Sequence, residues 1–143
     1  MEGRAMLGRS RAASLGERGA AAVEMLIVFP ILFALFVGIV DFGAAFNAQI
    51  SLTQATREGV RVGAIGDNRT VPAMQTRLRE AYGGVGGNEP SAVVGQSNGC
   101  SSDINTGSAR LTAELQFDPP LNLLGEFVGP ITLRARAEMR CGG

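Results

Sequence analysis

Histidine, lysine and tryptophan are missing from this 143-residue chain, and its 13 cationic residues are all Arg. These absences exclude a His general base, Ser–His and Cys–His nucleophile pairs, a Lys Schiff base and a phosphate-loop Lys. Two Cys are too few for a four-ligand cysteine site. The 13 Asp plus Glu balance the Arg, so no long-range attraction to nucleic acid is expected. Only a catalyst of Asp, Glu, Ser and Arg is left, and the sequence offers no site for one. The expectation is a non-enzyme without cofactor or metal. Gly83-Gly84-Val85-Gly86-Gly87 is no phosphate cradle, because no Lys follows it and no strand precedes it.

Apolar residues are abundant but unevenly spread. Between Ala20 and Val40 the only charge is Glu24. A bilayer core of about 30 Å needs about 20 apolar residues as helix, and this run has that length. Arg4, Arg9, Arg11 and Arg18 precede it, and the next cation is Arg57. The bias of cations toward the cytoplasm then puts the N-terminus inside and the C-terminal portion outside. Two plainer readings compete: a removable secretory signal cut after Ala45, and an ordinary uncut anchor whose Glu24 reaches back to the headgroups.

Glu24 is the informative residue. A carboxylate costs roughly 2.5–3.5 kcal/mol at mid-bilayer and less near an edge. It follows Arg18-Gly19-Ala20-Ala21-Ala22-Val23. A cut after Gly19 would make Ala20 a new N-terminus at the membrane face and Glu24 the fifth residue of the mature chain. The Glu24 carboxylate could then neutralise the α-amino group of a neighbouring subunit. Paired, the two charges can enter a helix bundle; unpaired, neither can.

The arrangement resembles the class III signal sequences of type IV pilin-like proteins. More narrowly, the chain is similar to the TadE family of the tight-adherence (Tad) pilus. The similarity is carried by Arg18 to Glu24, Pro30, Gly38-Ile39-Val40-Asp41-Phe42-Gly43 and Ala55-Thr56-Arg57-Glu58-Gly59-Val60-Arg61. Met25 departs from it, since major pilins of that system carry Tyr after the Glu. Ile131 to Arg140 is also similar to the last strand of such proteins. The resemblance implies removal of a 1–19 leader by a prepilin peptidase and a pilus role. It also implies as partners TadF-like and TadG-like minor pilins, the major Flp-type pilin and an inner-membrane assembly platform.

One helix is expected over 20–64. Steps of four and three from Ala34 give Ala34, Gly38, Asp41, Ala45, Ala48, Leu52, Ala55, Gly59 and Val62, all small or apolar except Asp41. We read this 3.5-residue period as a packing seam, against another subunit or against the chain's own head. The competing reading is chance in an Ala-rich helix. Asp41 is expected to sit in interfacial water rather than to meet an Arg on a partner helix. Pro30 removes one helical hydrogen bond, and Glu58 and Arg61 are spaced to pair on the helix surface.

The head, 65–143, opens with a turn and a helix over 72–82, capped by Thr70 and stopped by Gly83-Gly84. Residues 83–107 read as a flexible Gly-rich loop, with a short strand at Val93-Val94. Strict alternation predicts strands over 109–117 and 131–139, each with one buried and one wet face. As antiparallel neighbours they would pair opposite charges among Arg110, Glu114, Arg134, Arg136 and Glu138. Cys100 and Cys141 are expected to form a disulfide on the outward side, with two free thiols as the alternative.

The expected architecture is therefore α+β and pilin-like: one long N-terminal helix, half of it transmembrane, with a small antiparallel sheet. The leading functional expectation is a minor pilin or pseudopilin in the bacterial inner membrane, in a single pass with the head outside. The alternative is an unpolymerised envelope protein whose head binds a receptor or wall component.

Overall fold

The computed structural model describes residues 11–84, 88–93, 97–100, 107–121 and 129–142, with side chains described from residue 19 onward. Most of the leader, parts of the Gly-rich loop, Val94 and residues 122–128 lie outside the described residues. The chain divides into two units, Met1–Gly38 and Ile39–Gly143. The elements run α1 (Arg11–Ile65), α2 (Val71–Tyr82), β1 (Ser91–Ala92), β2 (Ser108–Phe117) and β3 (Ile131–Arg140).

α1 is helical over 55 residues and continues through Pro30. Among the described residues of the first unit, its large side chains are turned out, Val37 excepted. Val23, Met25, Leu26, Ile27, Phe29, Ile31, Leu32, Phe33, Leu35 and Phe36 are all exposed. An exposed apolar helix of this length does not persist in water, and this one is long and apolar enough to cross a membrane.

The second unit holds the core. α2 starts where Thr70, in extended conformation, caps the Ala73 N–H, with Pro72 in the first turn. It ends where Gly83 adopts the left-handed conformation at φ 66° and its N–H bonds the Arg79 carbonyl. Met74, Leu78 and Tyr82 form its buried face. The sheet is antiparallel, in the order β1-β2-β3. β2 and β3 pair along their whole lengths, from Ser108 opposite Arg140 to Phe117 opposite Ile131. Ala109, Leu111, Ala113, Leu115 and Phe117 of β2 are buried together with α2 and α1 residues. Each large apolar side chain there contributes about 1.5–3 kcal/mol by burial.

The expected third strand falls earlier than Val93-Val94: β1 is Ser91–Ala92, opposite Glu114 and Ala113. Nor are the described parts of the expected loop free of structure. The Val93 N–H bonds the Thr112 carbonyl, Asn98 and Arg110 bridge both ways, and the Ser97 hydroxyl accepts from the Thr112 N–H at 3.1 Å. The polar edge of β2 needs partners for its backbone groups, and this segment supplies them.

Candidate functional site

The residues assigned to processing lie in the first unit. Gly19 and Ala20 are exposed within α1, and a side chain at Gly19 would meet nothing within 4 Å. Glu24 stands one turn after Ala20, on the same face of the helix by its spacing. It is exposed and has no ion-pair partner among the described residues. Among the described residues, nothing covers the Gly19–Ala20 bond and no cation pairs with the Glu24 carboxylate.

The seam divides in two. Ala34 is exposed, and Gly38 and Ala45 are half-buried. Ala48, Leu52, Ala55 and Gly59 are buried in the core of the head. Of the two expected occupants, the chain's own head fills this outer part. Gly59 shows why the residues must be small there. A Cβ on it would lie 2.5 Å from Leu111 Cδ2 and 2.9 Å from the Met74 carbonyl oxygen. Gly63 meets the Met74 sulfur in the same way. The sequence reading missed this docking of α2 on α1, although Gly63 stands one turn after Gly59.

The stretch Ala55 to Arg61 divides into a buried face and a charged one. Ala55, Thr56 and Val60 are buried, and Thr56 returns its hydroxyl to the Leu52 carbonyl at 2.6 Å, so no polar group is stranded. Arg57 and Arg61 are exposed, and Arg61 lies 3.5 Å from Glu58. The run is a rule for attaching a head to a helix, with charges kept on the opposite face.

Asp41 makes a contact within the second unit. It is half-buried, and its Oδ1 accepts the Leu121 N–H at 3.2 Å. It ties the base of the head to the helix. Higher up, Gln49 donates to the Arg134 carbonyl at 3.0 Å.

On the wet face of the sheet, Arg110 lies opposite Glu138 and Glu114 opposite Arg134, at 3.1 and 2.7 Å. The Ser108 hydroxyl, and then the Arg110 guanidinium, hold the Glu138 carboxyl below the usual carboxylate range. Burial raises the Tyr82 phenol. Cys100 and Cys141 are bonded, their Cα atoms 5.8 Å apart. The Cys100 N–H bonds the Gly63 carbonyl at 2.9 Å, so the bridge joins the end of β3 to a segment anchored on α1.

A membrane-length apolar helix whose continuation is the spine of a small antiparallel-sheet head defines an α+β, pilin-like protein. Residues 19–61 match the family model described as TadE-like protein. The chain therefore carries a TadE-like segment over about a third of its length, and the match links it to the tight-adherence pilus system. No curated protein and no solved structure matches the chain. The matched segment begins at Gly19, on the expected scissile bond, and ends at Arg61, with the last of the head-attachment residues.

Proposed function

We propose that this protein is a minor pilin or pseudopilin that acts in assembly or initiation of a tight-adherence, type IV-like pilus. The observation that carries the reading is Glu24, exposed and without an ion-pair partner among the described residues, near the start of a TadE-like helix and one turn beyond an exposed Gly19–Ala20 bond. A prepilin peptidase removes residues 1–19. The amine of Ala20 then meets the Glu24 carboxylate of an adjacent subunit, and the membrane-embedded acid gains its counter-ion on assembly. The head remains outside the inner membrane. TadF-like and TadG-like subunits, the major Flp-type pilin and the assembly platform are the partners this reading names.

The chemistry is assembly rather than catalysis. Exchanging Glu24 for Ala tests it, because cleavage after Gly19 does not need the acid but subunit pairing does. The expected outcome is a normally processed subunit with pili lost or greatly reduced by electron microscopy. Normal piliation in that variant would remove the pairing mechanism.

A further inference from the structure

The sheet has two edges, and the chain treats them differently. On the β1 side, the outward backbone groups of Arg110 and Thr112 are taken up by Asn98, Val93 and Ser97. Arg110 and Thr112 stand opposite Glu138 and Arg136 in non-hydrogen-bonded pairs, so Glu138 and Arg136 also turn their backbone groups away from β2. By the same alternation Thr132, Arg134, Arg136, Glu138 and Arg140 all direct N–H and C=O to the outer edge of β3. Of these groups only the Arg134 carbonyl has a partner among the described residues, the Gln49 amide.

Proteins blunt such an edge with a short strand, a proline, a bulge or a charge aimed into the core. β3 has none of these. It runs for 10 residues, pairs with β2 without interruption and turns Leu133, Ala135, Ala137 and Met139 to the core. Leu133, Ala137 and Met139 are only half-buried there. The wet side of β3 is charged, and its charges are unevenly satisfied. Arg134 is held by Glu114, and Glu138 by Arg110 and Ser108, all on the β2 side. Arg136 and Arg140 have no salt bridge among the described residues.

We infer that the outer edge of β3 is a docking site for an extended acidic segment of a different polypeptide, added to this three-stranded sheet as an antiparallel fourth strand. A row of open backbone donors and acceptors is matched by an extended backbone. Arg136 and Arg140 lie four positions apart on one face, which asks for Asp or Glu at two positions four apart in the incoming strand. The residues alternating with those acids fall beside Ala137 and Met139, so they are apolar. A second copy does not meet this demand. When two β3 edges pair antiparallel, every register that matches three or more of the outward residues sets an Arg opposite an Arg. A parallel pairing about a two-fold axis turns the wet face of one sheet to the apolar side of the other. The inference concerns the head alone and holds whether or not the chain is cut after Gly19.

The test uses the full chain in non-ionic detergent micelles and a capped, fluorescently labelled synthetic peptide, Thr-Glu-Val-Thr-Val-Glu-Thr, read by fluorescence anisotropy. Binding is expected, and Arg136→Glu combined with Arg140→Glu should weaken it about tenfold. The same peptide with Arg in place of both Glu should show the reverse preference, for the doubly substituted chain. Backbone pairing is read separately, on the unaltered protein. Methylating the amide nitrogens of the two Glu, which face β3, should abolish binding, whereas methylating those of the two Val, which face away, should spare it. The inference is overturned by no binding at millimolar peptide, by equal binding of the acidic and Arg peptides, or by equal loss from either methylation. A dimer that forms without peptide and that the double substitution dissociates would also overturn it, by giving the edge to a second copy. Near-ultraviolet circular dichroism checks that the substituted head remains folded, and the methylated peptides decide the matter without any substitution in the protein.

Discussion

Residues 20–40 and residues 44–64 are successive stretches of one helix that follow opposite packing rules. The first carries large apolar side chains and turns them outward. The second carries Ala48, Ala55, Gly59, Gly63 and Ala64 at its buried positions and receives its bulk from elsewhere, from Met74 and Leu78 of α2 and Leu111 of β2. The difference teaches what small residues mean in each place. In the upper stretch they are small because a head must come close; in the lower stretch the described residues face outward, except at its end, where Val37 is buried and Gly38 half-buried.

The strongest way to break this comparison is to put a charge into the upper seam. Ala55 is buried, so Ala55→Glu strands an unpaired carboxylate, at a cost of about 3–5 kcal/mol or more. The expected outcome is loss of the cooperative near-UV circular-dichroism transition of the head. Any loss of partner binding in that variant then follows from unfolding.

Removing the bridge comes next. Cys100→Ser frees a loop of sequence separation 41 and is expected to lower head stability by about 2–4 kcal/mol in urea titration. In the unaltered protein, thiol labelling should find no reactive Cys before reduction and two after it.

Glycine sharpens the comparison further, because one substitution should change sign between positions. Gly59→Ala drives a methyl into Leu111 and the Met74 carbonyl and should cost about 1–3 kcal/mol. Gly43→Ala meets nothing within 4 Å and should gain up to about 1 kcal/mol of helix propensity. Thermal melts in the same micelles check both. A loss at Gly43 would show that this glycine also serves a close approach.

The smallest effect lies on the wet face of the sheet. The Glu138 carboxyl is held below its unfolded value, so its stabilisation is complete above that value, about pH 4.3, and fades as pH falls through the folded one. Melting temperatures measured from pH 6 to 2 should fall slightly more for the unaltered protein than for Glu138→Gln.

Much of this was legible in the sequence, for identifiable reasons. Period-two alternation in Ala109 to Phe117 and Ile131 to Met139 marks a half-buried antiparallel pair, and the structure pairs these strands in register. Thr70, Pro72 and Gly83 punctuate α2 as capping chemistry requires. β1 was misplaced because two residues carry no period, and Ser91–Ala92 is held by hydrogen bonds to β2 rather than by a pattern of its own. The Asp41 contact is hidden for a related cause: its partner is a backbone N–H 80 residues away, which no side-chain spacing records. Gly63 escaped notice because a glycine required by another helix looks, in sequence, like one that is merely permitted.

The central claim is that this chain is a processed, membrane-inserted subunit, and the mass of the mature protein tests it most directly. From cells that hold a prepilin peptidase, the account predicts a polypeptide that begins at Ala20 with its Cys100–Cys141 bridge intact. A chain still carrying Met1 to Gly19, or one beginning at Phe46, would contradict it.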